Sequence, residues 1–222
     1  MKPTAITIAM LATTLAGAAL LPPAHAGNQT AHQVHAAHAA NAPAAWQPAA
    51  TASTIAIPPG SIYQLATPLT DAAGQRFTLR AMAGAPLLVT MFYGDCHAAC
   101  PVVIETLKRT VTALGPEGKR LRILLISLDP KRDTPQSLGM MAGMQHLDPA
   151  QYRLAVARDD SDTRMLASAL NIRFRALDNG EISHTTRIAL LNADGSVQAD
   201  STRLAVEPDP DFVKQITIAL KR

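Results

Sequence analysis

The feature that most constrains this chain is an apolar run that ends in a pair of cysteines. Pro86-Leu87-Leu88-Val89-Thr90-Met91-Phe92-Tyr93 carries no charge and no alternation, so it reads as a strand buried on both faces. Gly94 and Asp95 interrupt it, and Cys96 and Cys100 follow at once; they are the only 2 cysteines in 222 residues. Pro101 suits an early helical turn, where a missing N–H costs little. Beyond it Val102, Val103, Leu107, Val111 and Leu114 recur at helical spacing, with Lys108 and Arg109 between them. The cysteines therefore sit where a buried strand turns into a helix. With the helix begun by Cys96, positions i and i+4 share a face with Cβ atoms ~5–6 Å apart. A small adjustment from there reaches disulfide geometry, and the reduced pair can instead grip one metal ion. A disulfide closing so short a loop would constrain the unfolded chain little, so the pair reads as chemical rather than structural.

The rest of the chain supplies a sheet around that strand. Ile62-Tyr63-Gln64-Leu65 and Phe77-Thr78-Leu79 flank Asp71-Ala72-Ala73-Gly74-Gln75, whose Asp and Gly predict a hairpin-like turn. Leu121 to Leu128 is a second apolar strand, and strand–helix–strand order implies a right-handed crossover and a parallel pair. After the polar loop Asp129 to Thr134, Thr134 is an N-cap and Pro135 a first helical residue. That helix carries Leu138, Met140, Met141, Met144 and His146. Methionine is an ordinary filler of cores, which is the reading adopted for the three; as soft thioethers beside a histidine they also admit a copper reading. Tyr152 to Ala157 is a further strand, and Asp160 or Ser161 caps a helix with Met165, Leu166 and Leu170. Ile188-Ala189-Leu190-Leu191 and Ser196-Val197-Gln198 pair through Asp194-Gly195. Pro208 and Pro210 precede a terminal amphipathic helix with Phe212, Val213, Ile216, Ile218 and Leu220. The sum is an α/β fold: a thioredoxin-like mixed sheet flanked by helices, with an N-terminal hairpin extension.

The N-terminus speaks to compartment. Lys2, the apolar stretch from Ala5 to Leu21 and the small-x-small site Ala24-His25-Ala26 predict a signal peptide over residues 1–26. Cleavage would leave a soluble periplasmic monomer beginning at Gly27; the alternative is an N-terminal membrane anchor, for which the stretch is diluted by Thr and Gly and short for a ~20-residue span. Residues 27–60, rich in Ala, Pro, Gln and Asn, read as a flexible lead-in to a domain over 61–222. Within the lead-in, His32, His35 and His38 stand as a metal-collecting tract or as incidental histidines of a solvated linker. The net charge of +3 comes from scattered residues, which disfavours nucleic acid as a partner.

Three segments resemble the Sco/SenC family. Tyr93-Gly94-Asp95-Cys96-His97-Ala98-Ala99-Cys100-Pro101 is similar to its Cys-x-x-x-Cys-Pro signature after a strand. Ser127-Leu128-Asp129-Pro130-Lys131-Arg132-Asp133-Thr134-Pro135 resembles its Asp-Pro-x-x-Asp-Thr-Pro loop. Ser183-His184-Thr185, followed by Ile188 to Leu191 and Asp194-Gly195, resembles its histidine segment. The likeness covers about residues 62–220 and implies a thioredoxin fold that binds one copper ion, Cu(I) or Cu(II), through Cys96, Cys100 and His184. It also implies delivery of copper to the copper-site subunit of cytochrome c oxidase or to another periplasmic copper protein. Two positions depart from the pattern: His97 stands where the family commonly has Pro, and Ser183 where it commonly has Asp.

The donor chemistry is consistent with that implication. Two thiolates suit Cu(I), and an imidazole keeps Cu(II) tolerable. Zinc accepts the same donors but prefers four. His97 could offer a fourth, although its side chain leaves the helix on a different face; Asp129 is expected to order its loop rather than bind metal. The function expected is that of a metallochaperone without turnover. The alternatives are a thiol–disulfide oxidoreductase using Cys96 and Cys100 and, more distantly, a peroxide-reducing relative of the same fold. Retention of His184 favours the first.

Overall fold

The computed structural model describes residues 54–96 and 99–221. Residues 1–26, read as a signal peptide, the expected lead-in as far as residue 53 with the histidines at 32, 35 and 38, and His97 lie outside the described residues.

At the centre is the strand read from the sequence, β3 (Leu87–Phe92), buried at all six positions. It pairs in parallel with β4 (Arg122–Ser127), Leu87 opposite Arg122 and Phe92 opposite Ser127. Parallel neighbours need a crossover, and α1 (Ala99–Ala113) provides it. On the far side of β4 lies β5 (Tyr152–Ala157), also parallel. Strands covered on both faces carry unbroken apolar runs, which is why β3, β4 and β5 were legible by composition alone. Antiparallel pieces complete the sheet. β1 (Leu69–Asp71) pairs with β5 and with the short β2 (Arg76–Phe77). At the opposite edge β8 (Ile188–Leu191) pairs with β3, and β9 (Val197–Ser201) with β8. The order across the seven strands is β2-β1-β5-β4-β3-β8-β9.

Three local expectations are corrected. Ile62–Gln64 is a single 3-10 turn, not a strand. Ser61 Oγ accepts the Tyr63 amide at 3.1 Å, and the Ile62 amide donates to the Gly195 carbonyl at 3.2 Å, so this segment closes under the β8–β9 turn and buries Ile62 and Tyr63 together. Gly195, at φ 79°, lies so close that any Cβ there would collide with the Tyr63 ring. The hairpin at Asp71–Gln75 forms, but from β1 and β2; Asp71 Oδ1 accepts the amides of Ala73 at 3.0 Å and Gln75 at 2.8 Å.

The second correction concerns methionine. α2 (Pro135–Met144) begins as expected, with Thr134 and Ser137 forming a reciprocal capping box. Only Leu138 is buried on it, with Met141 and Ala142 partly buried beside it. Those three mark one stripe of the helix, and Met140 and Met144 fall on the other side, 65% and 73% exposed. They are not core residues. Thirdly, α3 (Asp160–Ala169) is capped one residue earlier than expected, by Asp159, whose Oδ1 accepts the Asp162 amide at 2.9 Å.

The terminal helix α4 (Pro210–Leu220) is capped by Asp209 and buries Phe212, Ile216 and Ala219. Among the described residues no helix is long and apolar enough to cross a membrane. One ribbon was not anticipated at all: β6 (Phe174–Ala176) and β7 (Ile182–His184) form a separate antiparallel pair, with Phe174 opposite His184. Neither strand has a long apolar run or a clean alternation to betray it.

Candidate metal centre

Cys96, Cys100 and His184 converge. One potential ligand atom from each lies within 4.8 Å of the other two, although Cys96 and His184 are far apart along the chain. Each donor arrives on a different element. Cys96 sits in the turn that leaves β3, where its amide donates to the Tyr93 carbonyl at 3.3 Å. Cys100 stands in the first turn of α1, and its own amide donates to Cys96 Sγ at 3.2 Å. His184 ends β7. Both cysteines are buried thiols with no disulfide between them, whereas His184 is half-buried.

The residue before His184 is Ser183, which offers no carboxylate to the ring. The ring is oriented by the backbone instead: Nδ1 lies 3.2 Å from the Thr185 carbonyl. A carbonyl only accepts, so Nδ1 carries the proton there and Nε2 keeps its lone pair for a ligand. A backbone carbonyl is one of the usual partners that fix a ligating imidazole. The Tyr93 ring meets His184 edge to face, centroids 6.0 Å apart at 83°, and walls the site on that side.

Behind the cysteine turn lies a polar lock. Asp133, buried just before α2, accepts the Gly94 amide at 2.9 Å and the Ser127 hydroxyl at the end of β4. Ser127 Oγ in turn accepts the Asp129 amide at 2.9 Å. Asp129 orders its own loop, as expected, by accepting from the guanidinium of Arg132. Arg132 reaches further: Nη2 donates to the Gly180 carbonyl at 2.7 Å, and Nη1 lies 3.5 Å from Asp95. One arginine thus joins the loop after β4, the cysteine turn and the turn of the β6–β7 ribbon that carries His184.

Burial dominates the electrostatics. It pushes the Cys100 thiol well above its ordinary range, an effect the neighbouring Cys96 reinforces. The Tyr93 phenol is raised, again chiefly by burial, with Cys96 and Cys100 adding to it. His184 is lowered by burial, partly offset by its bond to Thr185, so its imidazole favours the neutral, ligating form. Two sulfurs and one neutral imidazole form a soft donor set. Among the described residues no fourth His, Cys, Asp or Glu joins the group.

Sequence reasoning singled out the three residues that converge but not their supports. Asp133, Ser127 and Arg132 were visible only as letters of a motif; nothing in their spacing says that they lock one loop to another. Tyr93 was read as the end of a strand rather than as a wall.

Comparison with known proteins finds a family and a fold. A family model described as SCO1/SenC matches residues 63–217. A Stutzerimonas stutzeri protein named for copper binding is 26% identical over 138 residues, 59% of this chain. The matched stretch spans 64% of that protein, a little under two thirds of its length. Copper-bound ScoI of Bradyrhizobium japonicum superposes with a TM-score of 0.56 at 22% identity, covering 67% of this chain and 96% of ScoI. BsSco, described as a Sco-family cytochrome c oxidase assembly protein with a disulfide switch, superposes at 0.59 and 17% identity, over 75% and 98% of the two chains. At these identities the structural likeness establishes the thioredoxin-like fold.

Proposed function

We propose that this chain, which belongs to the SCO1/SenC family, is a copper carrier that takes one copper ion on Cys96, Cys100 and His184 and passes it to a respiratory cytochrome oxidase. The observation that carries this reading is the convergence of the three donor atoms within 4.8 Å. Two thiolates select copper from harder ions, and the imidazole makes the site serviceable for both oxidation states. The cargo arrives at a preformed pair of sulfurs, and only protons need leave. An incoming thiolate or imidazole from an acceptor can then displace the ligands one at a time.

The setting belongs to the same proposal. Residues 1–26 act as an export signal, the carrier works as a periplasmic monomer from Gly27 onward, and residues 27–60 form its lead-in. The acceptor is the copper-site subunit of the oxidase. The name of the Stutzerimonas relative, the copper-bound ScoI and the description of BsSco support this reading.

A second reading, thiol–disulfide exchange on an acceptor, is favoured by the same two reduced cysteines. The two separate at His184, which exchange chemistry does not require. The test presents the reduced, copper-loaded protein to the purified copper-site domain of an oxidase, with the domain's thiols reduced in one arm and joined as a disulfide in the other, and follows copper and thiols together. Transfer of copper with thiols unchanged supports the carrier. Oxidation of Cys96 and Cys100 matched by acceptor reduction, with copper left behind, supports exchange instead.

A further inference from the structure

We propose a second copper-binding site on α2, formed by the thioethers of Met140 and Met144 with His146 beside them and specific for Cu(I). It lies outside the Cys96–Cys100–His184 group and does not depend on the reading given to that group. Met140 and Met144 are 65% and 73% exposed, the two most exposed large apolar side chains among the described residues. Neither contributes to the core, which the helix reaches through Leu138, Met141 and Ala142. Their i and i+4 spacing sets them on one face with Cβ atoms ~5–6 Å apart, and three rotatable bonds each let the sulfurs close on a single ion.

The helix end favours such a site in three further ways. Gly143, the residue beside Met144, has no neighbour within 4 Å of where a Cβ would stand, so that flank of the helix is open. The helix then stops in a turn where the His146 amide donates to the Gly143 carbonyl at 3.0 Å and the Leu147 amide to the Ala142 carbonyl at 2.9 Å. That turn places His146 at φ 51°, in the left-handed region that glycine occupies without cost, and leaves it exposed two residues after Met144. Finally, the C-terminal end of a helix carries partial negative charge and attracts a cation. Thioethers are neutral and soft, which selects Cu(I) and its analogue Ag(I) over Cu(II), zinc or hard cations.

The experiment titrates the reduced chain, labelled with ¹³C at methionine methyls, with Ag(I) and follows each methyl signal. The first equivalent is taken by the cysteines. Later equivalents are expected to move the Met140 and Met144 signals together, while Met165, a 45% exposed methionine on α3, serves as the measure of a solitary thioether. Because the two sulfurs act as one chelate, M140L should weaken the response of Met144 roughly tenfold or more, and M144L that of Met140. His146→Ala should weaken both. All three positions are exposed, so these variants retain the fold. The proposal is overturned if Met140 and Met144 respond no more strongly than Met165, or if each titrates unchanged when the other is replaced.

Discussion

The amide of Gly94 donates to Asp133 Oδ2 at 2.9 Å, joining the turn before Cys96 to the residue that precedes the cap of α2. The same carboxylate accepts from Ser127, so it is held from two sides and cannot swing away. A Cβ on residue 94 would collide with Asp133 Oδ1. Gly94→Ala is therefore expected to lower stability and displace Cys96, and Asp133→Ala to cost about 1–3 kcal/mol by orphaning the buried Ser127 hydroxyl and releasing the Gly94 amide. Chemical denaturation measures the cost. Metal affinity should fall in both variants although neither residue is a ligand; unchanged affinity in both would mean that the lock does not position Cys96.

Arg132 bridges three segments, but its side chain is 43% exposed, so its removal should be gentle on the fold. Arg132→Ala is expected to leave the melting temperature nearly unchanged and to loosen the β6–β7 ribbon that holds His184. Amide exchange at Ile182 and His184 reads this directly, and faster exchange there than in β8 is the expected outcome.

A different balance governs the Asp71–Arg153 pair, whose Arg153 Nη2 and Asp71 Oδ2 lie 2.6 Å apart at 6% and 7% exposure. Arg153 also stacks 3.5 Å above the Phe77 ring. Removing one charge strands the other, so Asp71→Asn should cost about 3–5 kcal/mol. Asn retains the turn-capping oxygen, which isolates the charge effect. Adding Arg153→Met should recover a large part of the loss, measured by urea denaturation of the double variant.

Acid should weaken the fold through carboxylates held below their ordinary range. Asp209 is depressed first by the Ser201 hydroxyl, Asp194 by Ser196 and Asp200 by Arg187. A folded-state value below the unfolded ~3.9 means that the stabilisation is present above that pH and is lost as pH falls through the folded value. Asp209→Asn keeps an N-cap but cannot titrate, so its melting temperature should fall less steeply with acid than that of the parent below about pH 4.

How much of this was legible from the chain follows from what each residue depends on. β3, β4 and β5 were readable because burial on both faces writes itself as an unbroken apolar run. Thr134 and Pro135 were readable because capping is local chemistry. The β6–β7 ribbon was not, since Phe174 and His184 are held by pairing with each other rather than by any pattern within either strand. Ile62 and Tyr63 were misread because the partner that bends them into a turn, Gly195, lies far along the chain. Met140 and Met144 were assigned to the core by residue type, while the stripe set by Leu138, Met141 and Ala142 turns them outward. The donors Cys96, Cys100 and His184 came from motif likeness; the Thr185 carbonyl that orients His184 in place of a carboxylate could come only from the structure.

The ligand assignment also predicts how variants divide. His184→Ala should weaken Cu(II) more than Cu(I), because two thiolates alone satisfy the softer ion better. Deleting residues 27–45, with His32, His35 and His38, should leave the tight equivalent in place and remove only weaker binding, since donors on a stretch of the flexible kind that this composition leads one to expect would lose on the order of 1–2 kcal/mol of chain entropy per ordered residue. Competition titrations against a chelator of known affinity separate the two. Loss of the tight equivalent on tail deletion, with His184→Ala silent, would reverse the assignment.

The most direct measurement is copper K-edge absorption on the reduced chain loaded with one equivalent of copper, compared with Cys96→Ser, Cys100→Ser and His184→Ala. The account predicts two sulfur scatterers and one imidazole nitrogen in the parent, one sulfur fewer in each serine variant, and loss of the imidazole signal in His184→Ala. A parent spectrum with no sulfur, or one unaltered by all three substitutions, would contradict it.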